Sequence, residues 1–131
     1  MLDLLDSRIH TLNTTGERIG SFVLSHFRQK KLIINTKTDG SVVTQVDQEA
    51  EILARNTLLE QFPEDGFLGE EYGEIQGNSG YRWVVDPIDG TASFARGVPL
   101  FGTLIGLEHD GKPIAGLANL PALNESISAV V

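Results

Sequence analysis

The stretch Tyr81-Arg-Trp-Val-Val-Asp-Pro-Ile-Asp-Gly-Thr-Ala-Ser-Phe94 constrains the fold more than any other part of the chain, because a strand has to end and the backbone has to turn inside it. Trp83, Val84 and Val85 form the β-branched and aromatic run of a buried strand. Pro87 has no amide to give to a sheet ladder, so the strand is expected to stop at Asp86. Asp89-Gly90-Thr91 then opens a short helix or turn, with Asp89 placed to cap it and the Gly90 and Thr91 amides left without partners inside the helix.

Unpaired amides at a helix start attract an anion such as phosphate. Asp86 and Asp89 set carboxylates beside those amides, a combination that is chemically coherent if a hard divalent cation lies between acid and phosphate. A simpler reading also stands: Asp-Gly is a common turn dipeptide, and Asp-Pro followed by Asp-Gly can be a tight connection and nothing more. These residues alone leave both open.

Net charge narrows the choice of partners. At -8 over 131 residues the chain repels a nucleic-acid backbone or an anionic membrane, and an anionic substrate would need a metal ion. The absence of cysteine removes thiol nucleophiles, disulfides and thiolate metal sites. The opening Met1-Leu-Asp-Leu-Leu-Asp6 has acids where a secretory signal needs positive charge, and no apolar run reaches spanning length, so the cytoplasm is the expected location.

Upstream, Leu5, Ile9, Leu12, Ile19 and Val23, with Gly16 on the same stripe, predict a long amphipathic helix over residues 2–27. His10 and His26 are ordinary positions in it. Lys30-Lys31 closes this region, residues 32–34 read as a short strand, and residues 35–41 form a turn with Asp39-Gly40 at its tip. A second helix is expected from Thr44 to Gln61, with Val46, Ala50, Leu53 and Thr57 on one stripe and Ala54 and Leu58 beside it. Thr44-Gln-Val-Asp47 has the form of a capping box with aspartate in place of glutamate, which by itself accounts for Asp47.

Phe67-Leu68-Gly69 makes a short apolar segment ending in Glu70-Glu71, acids that point apart on a strand but can converge on one ion where the strand ends. As a lone pair they read more often as a solvated loop edge. Residues 73–80 are expected as a flexible loop and candidate flap. Strands over residues 101–107 and 114–118 flank a hairpin turn at His109-Asp-Gly-Lys112, and a last apolar segment covers residues 126–131. The layout is α+β, two helices packed on an antiparallel sheet. Because the last segment ends on apolar residues without a cap or polar tail, the chain, residues 1–131, is expected either to be part of a longer protein or to have this edge covered by another element.

Asp47 after a Thr-rich turn, Gly69-Glu70-Glu71, and Asp86-Pro-Ile-Asp-Gly-Thr91 occur in the order and approximate spacing of the inositol monophosphatase family, which the chain resembles over almost its whole length. The run Gly97-Val-Pro-Leu-Phe-Gly-Thr-Leu-Ile-Gly106 is similar to the histidinol-phosphatase branch. The resemblance implies a magnesium-dependent phosphomonoesterase, a homodimer of layered α/β/α/β/α fold, of which this chain would be the amino-terminal metal-binding half. It further implies Glu70, Asp86, Asp89 and the Ile88 carbonyl as metal ligands, with Asp86 bridging two ions. Gly90 and Thr91 would bind phosphate, Asp47 and the Thr91 hydroxyl would orient the attacking water, and Glu71 would stand near a further ion and its water. Lys37 corresponds loosely to a family lysine, since Val42 replaces the usual proline of its turn.

The family completes its site with a Trp-Asp motif in its second half. Nothing here matches it, the only tryptophan being Trp83, so these residues alone are expected to bind metal weakly and turn over little. Hydrolysis of histidinol phosphate or an inositol monophosphate is the leading expectation. The alternative is a catalytically silent or truncated family member acting as a binding or assembly module. A calcium-binding domain is disfavoured because no loop has the alternating ligand spacing of an EF-hand.

Overall fold

The computed structural model describes residues 3–29 and 34–131. The expected basic pair at residues 30–31 and the first residues of the expected strand at 32–34 lie outside them. Helix α1, Leu4–Ser25, starts on an Asp3 cap whose side chain accepts the Asp6 amide, and buries Leu12, Gly16, Ile19 and Val23 along one stripe. Strands β1, Ile34–Thr36, and β2, Val42–Thr44, pair as a separate antiparallel hairpin. Asn35 and Thr36, expected in the turn, therefore belong to a strand. Helix α2, Gln45–Gln61, buries Val46, Asp47, Ala50, Glu51, Ala54 and Leu58.

The remaining strands are β3 (Gly66–Gly69), β4 (Gly73–Ile75), β5 (Tyr81–Asp89), β6 (Gly102–His109), β7 (Lys112–Leu120) and β8 (Glu125–Val130), in the order β4-β3-β5-β6-β7-β8. A five-residue helix α3, Thr91–Ala95, follows β5. The architecture is α+β, with one refinement: β3 and β5 pair in parallel, so the sheet is mixed. The β6–β7 hairpin turns on Asp110 (φ 49°) and Gly111 (φ 79°), left-handed backbone at both central residues, as a tight two-residue turn requires.

Helices α1 and α2 cover one face of the sheet. Period-two alternation along β5 turns Trp83 and Val85 into that core and leaves Val84 and Asp86 on the other face. Phe67, Trp83, Ile105 and Leu107 meet Leu12, Ile19, Ala54 and Leu58, each at most 1% exposed, and burying a side chain of this size contributes roughly 1.5–3 kcal/mol. Gly16 lets α1 sit directly on β7, since a Cβ there would lie 1.9 Å from Leu117 Cδ2. No described helix is long and apolar enough to cross a membrane.

Two further local expectations are corrected. The strand does not stop at Asp86 but runs through Pro87 to Asp89, with a register shift against β6 between Asp86 and Asp89. Proline is tolerated because β3 pairs with β5 only as far as Val85, so beyond that point the second edge of β5 needs no ladder donor. Residues 73–80 are not one open loop: 73–75 are β4, and the Asn78 and Ser79 amides donate to the Glu64 carbonyl at 2.7 and 3.0 Å.

Candidate functional site

Three chain segments meet at one end of the sheet. The first is the start of α2. Thr44 caps it, the Thr44 amide donates to Asp47 Oδ2 at 2.8 Å, and the Asp47 amide donates to Thr44 Oγ1 at 3.3 Å, completing the capping box. Asp47 is 2% exposed, so its carboxylate is held where few other partners can reach it.

The second segment is the β3–β4 connection, residues 70–72, closed by the Gly69–Gly73 pair. Glu71 meets Lys37 Nζ at 3.0 Å. The Glu71 and Tyr72 amides donate to the two carboxylate oxygens of Glu51 at 2.7 and 2.8 Å. The third segment is the end of β5 and the start of α3. Asp89 does not cap α3; Gly90 takes that position at φ 88°, without a side-chain cap. Only glycine adopts that backbone at little cost, and a Cβ there would also lie 2.9 Å from the Leu100 carbonyl. The Thr91 hydroxyl joins the first and third segments, lying 2.8 Å from Asp47 Oδ1 and 3.0 Å from the Ile88 carbonyl, either of which can accept its proton.

A cleft of about 430 Å³ between these segments is lined by Glu70, Glu71, Asp86, Ile88, Asp89, Gly90 and Thr91, with Lys37 and Arg96 as its cations. Every residue singled out from the sequence except Asp47 is on this wall. Asp47 lies buried behind Thr91, reached through its hydroxyl. No histidine lines the cleft; His109 stacks on Tyr81 at 4.3 Å.

The acids disturb one another. Burial, then the charges of Glu70, Asp89, Asp47 and Glu71, push Asp86 up to about 7. Burial also raises Glu71, against the opposing pull of Lys37. Burial lowers Lys37, but its hydrogen bond to Glu71 and the surrounding negative charge outweigh that and leave it raised.

An oxygen-donor set with excess negative charge suits a hard divalent ion. Among the described residues no three carboxylate or imidazole groups already converge on one point as a closed cage. A magnesium-type ion does not need one, because it keeps several waters and takes one or two protein carboxylates together with substrate phosphate. The donors present therefore fit such an ion without enclosing it.

Sequence reasoning missed Glu51 and Arg96. The signal for Glu51 was its place one helical turn after Asp47, beside Ala50 and Ala54 on the buried side of α2. Arg96 carried no signal beyond its closeness to the Gly90-Thr91 turn.

Comparison with known proteins follows the same elements. The family model described as "Inositol monophosphatase family" matches residues 4–131. A histidinol-phosphatase of Chlorobaculum parvum is 43% identical over 87% of this chain and 44% of its own length. An inositol-1-monophosphatase of Mesorhizobium japonicum is 41% identical over 73% of this chain and 36% of its own. The crystal structure of the extragenic suppressor protein suhB from Bartonella henselae superposes with a TM-score of 0.90 at 32% identity, over 95% of this chain and 49% of that one. The chain thus spans about half the length, or less, of these relatives.

Proposed function

The chain belongs to the inositol monophosphatase family, and from that premise we propose that it supplies the metal-binding half of a magnesium-dependent phosphatase acting on a small phosphate monoester such as histidinol phosphate or an inositol monophosphate. The observation that carries the reading is the gathering of Glu70, Glu71, Asp86 and Asp89 on one cleft wall beside the Gly90-Thr91 turn. Relatives named as histidinol-phosphatase and inositol-1-monophosphatase support the substrate class.

In this reading Glu70, Asp86, Asp89 and the Ile88 carbonyl would hold the ions. When bound, divalent ions neutralise phosphoryl charge, make water a stronger nucleophile and stabilise the departing alkoxide. The chain's own groups do the rest. The Gly90 and Thr91 amides, which have no intrahelical acceptor, receive phosphate oxygens. Asp47 Oδ1, fixed by the capping box and 2.8 Å from the Thr91 hydroxyl, accepts a proton through that hydroxyl from a water at the cleft wall. Glu71, tethered by Lys37, stands beside that water. A cytoplasmic homodimer without nucleic-acid or membrane partners completes the proposal, consistent with a net charge of -8.

Titration of the purified chain with magnesium, with and without Asp89→Asn, tests it. Saturable binding weakened roughly tenfold or more by the substitution is expected, since the exposed Asp89 carboxylate has no hydrogen-bond or ion-pair partner to lose among the described residues. Equal binding by both proteins would sink the metal site. Half-length coverage of the relatives favours a second reading, a binding or assembly module; that module has no need of Asp89 and would show the indifferent result.

A further inference from the structure

We propose that Glu51 is a positioning residue that holds loop 70–72 in the geometry its acids need to bind a cation, an inference that rests on the metal-site reading above. Glu51 is 1% exposed on α2, and each of its carboxylate oxygens takes one amide of the loop, Oε1 from Glu71 at 2.7 Å and Oε2 from Tyr72 at 2.8 Å. Two adjacent peptide groups are thereby pinned to one rigid acceptor. The directions in which Glu70 and Glu71 leave the backbone are set with them.

Chemistry explains why the acceptor is a carboxylate. Burying a negative charge next to Asp47 and Glu71 is unfavourable, and its charge contributes to raising Glu71. A glutamine would avoid that cost, but its amide has one acceptor oxygen and would turn an NH2 group toward the second loop amide. Only a carboxylate of this length accepts both. Gly69 fits the same design: a Cβ there would lie 2.3 Å from Glu51 Cδ and 2.5 Å from both its oxygens, so the strand end can rest on the carboxylate only without a side chain. The Gly69-Glu70-Glu71 motif is therefore completed by a residue well separated from it in sequence.

A purely structural staple between α2 and the loop would show the same contacts, and the test has to separate the two. Manganese binding to the 131-residue chain, followed by paramagnetic broadening of backbone amides, is compared for wild type, Glu51→Asp and Glu51→Gln. Aspartate keeps the charge but falls one methylene short of the amides; glutamine keeps the length but loses an acceptor. Both are expected to bind roughly 10–100-fold more weakly, the usual effect of removing a group that orients metal-binding carboxylates. Leu58→Ala, which destabilises the same helix away from the loop, is expected to leave affinity within about threefold under conditions where it is folded.

Glu51→Asp binding like wild type overturns the proposal, as does Leu58→Ala weakening binding as much as Glu51→Asp. Should neither Glu51 variant fold, Gly69→Ala, which lifts the loop off an intact Glu51, must give the same loss, and an unchanged affinity there overturns the proposal equally. Wild type binding no manganese refutes the parent reading instead, and is recognised before any variant is made.

Discussion

Asp86→Asn removes the charge that the acidic cleft tolerates least while keeping the shape of the side chain. The Asp86 carboxyl is raised from 3.8 to about 7 by burial and by its acidic neighbours. At about 1.4 kcal/mol per unit the full shift would amount to ~4 kcal/mol. Asp86 is only half-buried, and solvent screening reduces this to roughly 1–2 kcal/mol. The sign follows from linkage. Below 3.8 the folded and unfolded chains both carry the proton; between 3.8 and about 7 only the folded chain does. Raising the pH through that window therefore removes stability, and the loss is complete above about 7. Asparagine carries no such penalty, so the variant should match wild type near pH 4 and exceed it by the full amount at pH 8.

Thermal melts in EDTA measure this directly. At pH 8 Asp86→Asn should melt roughly 4–8 °C above wild type, and at pH 5 about a third of that. Added magnesium should then reverse the order, because wild type gains stability by mass action while the variant, lacking a ligand, gains little. A variant that melts at or below wild type at pH 8 without metal would show that Asp86 is not under electrostatic strain and refute the reasoning.

Two other substitutions probe a buried ion pair outside the cleft and a cation on its wall. Asp65→Asn should cost about 3–5 kcal/mol in urea unfolding, because Asp65 is 1% exposed and receives Arg8 Nε and Nη2, Ser79 Oγ and Trp83 Nε1 at 2.6–2.9 Å, leaving a buried guanidinium uncompensated; a loss under 1 kcal/mol would contradict that accounting. Lys37→Met should tighten magnesium binding roughly fivefold in a calorimetric titration, since it removes the cation 3.0 Å from Glu71 that competes for the same negative charge; weaker binding would make Lys37 an orienting residue instead.

What the sequence disclosed and what it hid divide along a physical line. The two long helices, the Thr44–Asp47 capping box and the Asp110-Gly111 turn depend on residues close together in the chain, and each stands where local pattern puts it. The gathering of Glu70, Asp86 and Asp89 was legible for a different reason: Glu70 follows the end of β3 and Asp86 and Asp89 lie in the last four residues of β5, and neighbouring strands of one sheet bring such positions together. The parallel β3–β5 pairing was hidden because nothing within either strand encodes the direction of its neighbour. Continuation through Pro87 was hidden because it depends on where β3 stops, and the loss of Asp89 as a cap because Gly90 takes that position. Glu51 was hidden most completely, since its partners are amides of a loop on another element.

That last case bears on how such a cleft can exist at all. Acids that repel one another would relax apart if they stood on mobile backbone, and the strain on Asp86 would vanish with them. Here each acid-bearing segment is fixed by a bond that does not use the acids lining the cleft: the capping box holds the start of α2, Glu51 holds loop 70–72, and the Thr103 hydroxyl donates to the Pro87 carbonyl at 2.9 Å beside Asp86. The repulsion is therefore stored in the fold rather than released. A cation that relieves it gains what folding has already spent, which is why the cation-free chain should be least stable at the pH where its site is most ready to bind.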